Sequence, residues 1–256
     1  MAFGYKNLEK FKDDMGYVID GTWFPRVSKI VGIKSKPALH YFYASLNSYA
    51  EGERIKKISA DEGIRVHEAA QAILIGDDPE IDKDISPAID AFVEFIEENP
   101  IEVDSDYIEK RVINHDDKYA GTIDALAVID GKVGVMDIKT SQAIYRDYNL
   151  QTSAYMAGLM DEVDNLETKW ILRIDQSRVC KRCGGKLREK GGRKKVKIDW
   201  SNTAQRTCNH EWGPVVGDVE LQEFPNWKED YEGFLGAKKL WEWEHKEWLD
   251  KMDYFD

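Results

Sequence analysis

The stretch from Tyr107 to Thr140 constrains this chain most, because two turn signals decide which residues can face one another across three short apolar runs. Tyr107 to Asn114, Tyr119 to Ile129 and Lys132 to Thr140 are rich in Val and Ile, which suit a pleated, half-buried surface. Asp130-Gly131 is a two-residue hairpin signal of the type I′ class, since both residue types accept a positive φ. With those two residues as the loop, Ile129 pairs with Lys132 and Asp124 falls opposite Asp137. A second turn at Asp116-Asp117 pairs His115 with Lys118 and sets Glu109 opposite Asp124. Cross-strand partners share a face with Cβ atoms about 5 Å apart, so Glu109, Asp124 and Asp137 are expected to form one acidic row. Lys139, two residues past Asp137, belongs to the same face. Like charges set opposite one another destabilise a sheet, so something cationic is required there.

The flanking segments read differently. From Arg26 to Ile75 apolar residues recur at helical spacing, with Ser28 a candidate N-cap, Pro37 at a helix start and His67 near the start of a helix running on to Leu74. Ile85 to Glu98 is a further helix, with Ser86 as cap and Pro87 at its first position. Ile144 to Val163 is predicted helical, placing Gln151 and Tyr155 one turn apart. Glu167 to Asp175 and Val215 to Phe224 read as strands, and Pro225 to Met252 as one long helix whose Trp227, Tyr231, Phe234, Trp241 and Trp248 form a core stripe. The 256 residues suffice for one large α/β domain, or one with an insert. No apolar run reaches the roughly 18 residues that span a bilayer, and Met1-Ala2-Phe3-Gly4-Tyr5-Lys6 lacks the layout of a secretory signal, so no membrane partner and a cytoplasmic location are expected.

Two constellations carry chemistry. Clustered carboxylates are the usual oxygen ligands for Mg²⁺ or Mn²⁺ in phosphoryl chemistry, and a lysine beside them can offset charge in the transition state. Asp124, Asp137 and Lys139 fit those parts, although an Asp-x-Lys triplet by itself is also common on a solvated sheet face. The second is Cys180-Lys181-Arg182-Cys183, followed after 24 residues by Cys208-Asn209-His210. Three thiolates and an imidazole suit a tetrahedral structural Zn²⁺, with a redox pair or incidental thiols as the alternative. The whole chain has a net charge of −12, yet Lys181 to Lys197 holds nine Lys or Arg against one Glu, a local +8. In that island Lys181, Arg182, Lys186, Arg188, Arg193, Lys194, Lys195 and Lys197 are candidates for tracking a DNA phosphate backbone, with Gly191-Gly192 loosening the run.

Four short motifs occur in order: Gly63-Ile64-Arg65-Val66-His67, Gly121-Thr122-Ile123-Asp124, Asp137-Ile138-Lys139 and Gln151-Thr152-Ser153-Ala154-Tyr155. Over roughly residues 25 to 176 this order resembles the RecB-like branch of the PD-(D/E)XK nucleases, including phage-type and CRISPR-associated exonucleases. The resemblance implies a restriction-endonuclease-like mixed sheet flanked by helices, with an α-helical N-terminal part. It also implies that His67, Asp124, Asp137 and the Ile138 carbonyl are ligands of a catalytic Mg²⁺ or Mn²⁺, with Glu109 at a further acidic position. Lys139 would be the catalytic lysine, and Gln151 and Tyr155 would support the site or the substrate strand. Some of these nucleases carry an iron-sulfur cluster on one cysteine before the His motif and three near the C-terminus. Here no cysteine precedes His67 and none follows Cys208, so a zinc-ribbon-like insert over residues 177–214 is expected instead, within a nuclease domain of residues 1–176 and 215–256. The implied activity is a metal-dependent deoxyribonuclease, in the resemblance an exonuclease on single-stranded ends. A structure-specific endonuclease and a non-catalytic zinc-ribbon nucleic-acid-binding protein are the alternatives.

Overall fold

The computed structural model describes residues 5–255. The start of the chain, read above as lacking a signal layout, lies in part outside them. Helix α1 (Leu8–Met15) leads into the hairpin β1 (Gly16–Ile19) and β2 (Thr22–Pro25), then come α2 (Val27–Val31), α3 (Pro37–Ala44), α4 (Tyr49–Leu74) and α5 (Ser86–Glu98). The β-rich middle consists of β3 (Glu102–Val103), β4 (Arg111–Asn114), β5 (Tyr119–Thr122), β6 (Ala125–Ile129) and β7 (Lys132–Lys139). Helix α6 (Tyr148–Leu159) follows, then β8 (Leu166–Cys180), β9 (Lys186–Lys190), β10 (Arg193–Lys197), α7 (Thr203–Arg206), β11 (Trp212–Glu223), α8 (Trp227–Glu244) and α9 (Lys246–Asp250). The fold is mixed α/β, a mixed multi-stranded sheet flanked by helices.

The hairpin at Asp130-Gly131 forms with φ of 52° and 76°, and it sets the predicted register: Ile129 pairs with Lys132, and the ladder runs to Ala125 opposite Met136. Asp124 and Asp137 are the next step. The β4–β5 ladder also has the predicted offset, Asn114 with Tyr119 through Arg111 with Thr122, and Glu109 N–H still reaches the Asp124 carbonyl at 3.4 Å.

Several expectations are corrected. Tyr119 to Ile129 is two strands: the chain leaves one sheet after Thr122 and enters another at Ala125, so Asp124 sits at the break. Glu109 has a φ of 50° and lies before β4, following a short 3₁₀ turn at Ser105–Tyr107, so the segment from Tyr107 is not one strand. His67 is deep inside α4, whose N-cap is Ser48, its side chain accepting from Glu51 N–H; at 26 residues α4 is about 39 Å long. Helix α2 starts at Val27, so Ser28 lies within it, and Ile85 caps α5 in place of Ser86. The long C-terminal helix is interrupted at His245.

Alternation along β6 and β7 divides the core. Leu126 and Val135 face a cluster with α1, α2, α6 and α8, whereas Ala125, Ala127, Met136 and Ile138 face α4 and α5. Trp227, Phe234 and Trp241 of the aromatic stripe are buried in the first cluster, with Tyr231 and Trp248 against it. Lys169 on β8 is fully buried, and its ammonium is offset by Asp230 Oδ2 at 2.7 Å and Asn149 Oδ1 at 3.0 Å.

Strand β8 organises the sheet. From Val133–Leu166 to Lys139–Arg173 it pairs in parallel with β7, and β11 pairs antiparallel along its other edge from Trp170 to Cys180. Past the end of β7, Arg178 and Val179 pair with Leu187 and Lys186, so β9 takes up the edge that β7 leaves. The segment 177–214 therefore continues the main strands. Gly191 and Gly192 have φ of 61° and 76° and close β9 on β10 as a tight turn, tightening the run that was read as loosened.

Gly217 on β11 permits a close helix contact: a Cβ there would meet Ala91 Cβ and the Pro87 carbonyl at 2.3 Å. Gly217→Val is expected to destabilise the fold by about 1–3 kcal/mol. A lower urea midpoint at unchanged slope is the measurement that checks it.

Candidate active site

Helix α4 carries Gly63, His67 and Gln71 along one face, one turn apart, toward the end of β7. His67 Nε2 lies 2.8 Å from Asp124 Oδ2, and its Nδ1 lies 3.8 Å from Glu109 Oε1. The Ile138 backbone N–H donates to Asp124 Oδ2 at 2.7 Å. Because Asp124 sits where the chain changes sheets, its carboxylate can fold back onto that free amide. Ligand atoms of His67, Glu109 and Asp124 come within 4.8 Å of one another, a group able to hold a metal ion.

Asp137 lies outside that triad. Its side chain is fully buried, and Lys139 Nζ stands 2.5 Å from Oδ2 as an ion pair, while among the described residues Oδ1 has no hydrogen-bond partner. Burial raises the Asp137 pKa to about 6, the Asp124 charge adds to that, and Lys139 and His67 oppose it. Burial works against a charged His67, but Asp124, then Asp137 and Glu109, outweigh it and raise its pKa. A buried carboxylate with one oxygen unpartnered, beside two more carboxylates and an imidazole, is part of a donor set that a hard divalent cation would satisfy. The residues therefore fit such an ion.

The expected supporting residues are also here. Gln151 donates to Tyr155 OH at 2.9 Å, and burial, with Asp137 second, holds the Tyr155 phenol far above its usual range. Tyr155 packs so closely on Gly121 that a Cβ there would stand 2.4 Å from its ring. Likewise, a Cβ on Gly63 would stand 2.7 Å from Thr140 Oγ1. Both motif glycines thus make room for another part of the site.

Gln71 was not foreseen. It donates to Glu109 Oε1 at 2.8 Å and to the Asp124 carbonyl at 3.1 Å, and its position four residues after His67 was the available signal. Tyr148 also escaped notice; its ring lies 5.2 Å from Lys139 Nζ. Lys190 bonds the Thr140 carbonyl at 2.6 Å, beside Arg188 at 2.9 Å, and burial, then Arg188, brings its pKa down to about 8.

The basic island is largely neutralised. Lys181 and Arg182 lie against Glu211, Lys186 against Asp218, Arg188 against Asp175 and Lys194 against Glu189. Among the described residues, Arg193, Lys195 and Lys197 have no carboxylate within salt-bridge distance.

Cys180, Cys183, Cys208 and His210 converge at the far end of β8. Cys180 Sγ and Cys208 Sγ are 3.8 Å apart, and Cys183 Sγ is 3.4 Å from His210 Nδ1. A tetrahedron with metal–sulfur bonds of about 2.3 Å has edges of about 3.8 Å, so the group is sized for a metal ion. His210 is oriented by stacking on Trp212, with ring centroids 4.6 Å apart. No helix of the described residues is long and apolar enough to cross a membrane.

No protein-family model matches the chain, and no curated protein matches it.

Metal analysis of the purified protein is expected to find about one tightly held ion per chain at the cysteine group. Cys183→Ser is expected to lose it and to lower the thermal midpoint. An ion content unchanged by that substitution would show that the four residues do not hold it.

Proposed function

We propose that the chain is a metal-dependent deoxyribonuclease of the RecB-like PD-(D/E)XK kind, with His67, Glu109, Asp124 and Asp137 as the side-chain ligands of a catalytic Mg²⁺ or Mn²⁺. One observation supports this most: a fully buried carboxylate at Asp137, ion-paired to Lys139 through one oxygen and left without a donor at the other among the described residues, next to a His-Glu-Asp triad. Ile138 lines the same cavity of about 630 Å³ as His67, Gln71, Glu109 and Lys139, in keeping with its carbonyl as a further ligand. A divalent cation supplies Lewis-acid polarisation of the phosphodiester when bound.

The chain's own groups do the rest. Asp124 is held by the Ile138 amide and His67, and Gln71 pins Glu109 to the same spot. As the oxygen of water bonds to phosphorus and the bond to the leaving sugar oxygen breaks, negative charge grows on the phosphoryl oxygens. The Lys139 ammonium stands where it can offset that charge. Gln151 and Tyr155 brace the wall behind it. Preference for single-stranded ends, and exonuclease over endonuclease cleavage, belong to this reading through the order of the four motifs. Zn²⁺ is the ion we assign to the Cys₃His group, as a structural clamp in a zinc-ribbon-like segment.

Lys139→Ala is expected to slow cleavage of end-labelled DNA by about 10²–10³-fold with the thermal midpoint retained. Asp124→Ala is expected to remove cleavage and also the stabilisation given by added Mn²⁺, which reaches about 2.7 kcal/mol at a hundred times Kd. Wild-type cleavage in either variant would sink the site assignment, and digestion of closed circles as fast as linear DNA would overturn the exonuclease part.

A further inference from the structure

Next to the metal-facing cavity lies a second one of about 790 Å³. Ser59, Ala60, Lys139 and Thr140 line both, so the two form one cleft. Its walls are α3 and α4 on one side, the segment from Thr140 to Tyr148 on another, and the β9–β10 hairpin on the third. The hairpin is held in place: a Cβ on Gly191 would meet the Ile55 carbonyl of α4 at 2.5 Å.

The lining is unlike the rest of the molecule. The chain has 48 Asp and Glu against 36 Lys and Arg, yet among the described residues no carboxylate lines this cavity. Lys139, Arg188, Lys190, Arg193 and Lys195 do, together with Tyr41, Phe42, Tyr145 and Tyr148. Helix α3 is predominantly apolar, but none of its residues is buried, and Tyr41 is 78% exposed. Tyr145 is 42% exposed. Large rings left in water contribute nothing to a core, and a patch of them bordered by cations marks a binding surface. Arg193 fastens the two walls together, 5.1 Å above the Phe42 ring and 3.0 Å from Ser45 Oγ.

We propose that this cleft seats an unpaired DNA strand, with bases stacked on Tyr41 and Tyr145, phosphates on Arg193 and Lys195, and the chain directed toward Lys139. Cations alone would suit any nucleic acid, single- or double-stranded. Exposed rings add a preference, because only unpaired bases offer their faces for stacking. Choosing DNA, and the direction toward Lys139, rests on the nuclease reading; the preference for an unpaired strand rests on the cleft itself.

The test uses the intact chain with Lys139→Ala and no added divalent cation, so that the probe survives the measurement. The probe is a thymidine oligonucleotide of about 15 nucleotides carrying one fluorescent adenine analogue that dims on stacking. The single strand is expected to bind at least about tenfold more tightly than its duplex, with dimming. Adding Tyr41→Ala and Tyr145→Ala is expected to weaken binding at least about tenfold and to remove the dimming, whereas Tyr41→Phe and Tyr145→Phe keep both. Arg193→Ala with Lys195→Ala is expected to weaken binding and flatten its salt dependence. Wild-type affinity in the alanine pair, equal binding of the duplex, or loss of binding in the phenylalanine pair would overturn the proposal. Displacement of the strand by polyglutamate at equal charge would overturn it in favour of an acidic protein partner, and tighter binding of the uridine RNA counterpart would overturn the choice of DNA. If the wild-type protein cleaves no DNA while these binding results hold, the nuclease reading fails and the cleft assignment stands.

Discussion

Asp137 is a carboxylate taken wholly out of water, and the arrangement around it follows from that. An ionised group in such a place is destabilising by several kcal/mol unless opposite charge comes close. Lys139 supplies part of the compensation from the same strand, and His67 supplies more from a helix some seventy positions upstream. Asp124 would make matters worse, but its charge is drawn off by the Ile138 amide and the imidazole. The site is stable as a set of mutual offsets.

Such an environment needs a rigid frame, and the sheet provides it. Strand β7 is paired on both edges, with β6 antiparallel and β8 parallel, and helices cover its two faces. The chain switches sheets at Asp124, which leaves that residue without a regular ladder partner and lets its side chain reach the next strand's amide. Strain and irregularity are thus confined to a few residues, while the neighbours keep ordinary geometry.

The strand register was legible because a two-residue turn and period-two alternation leave no freedom: Asp130-Gly131 alone predicts the pairing of the whole β6–β7 ladder. Gly63, Gly121, His67 and Tyr155 were recognisable as motif members, but not the reason for the glycines, which is contact between motifs far apart in sequence. Helix α4 was read too short because its first half has little apolar periodicity and is held by caps and by neighbours. The pairing of Lys181, Arg182 and Lys186 with carboxylates could not be foreseen either, since Glu211 and Asp218 lie some thirty residues further on. A sum of charges over a window counts neighbours in sequence, whereas Coulomb attraction acts through space. Gln71 stood in plain view four residues after His67, and glutamine simply draws less attention than histidine.

The sharing of one edge of β8 by β7 and then β9 has a bearing on how this chain could be taken apart. A segment bounded by paired cysteines invites excision as a cassette, with a short linker in its place. Excision here would strip β9 from Arg178 and Val179 and leave backbone N–H and C=O groups open at the end of a long strand. Open edges of that kind recruit other chains. The shortened protein would meet its own copies, and self-association would be mistaken for loss of whatever the excised segment itself does.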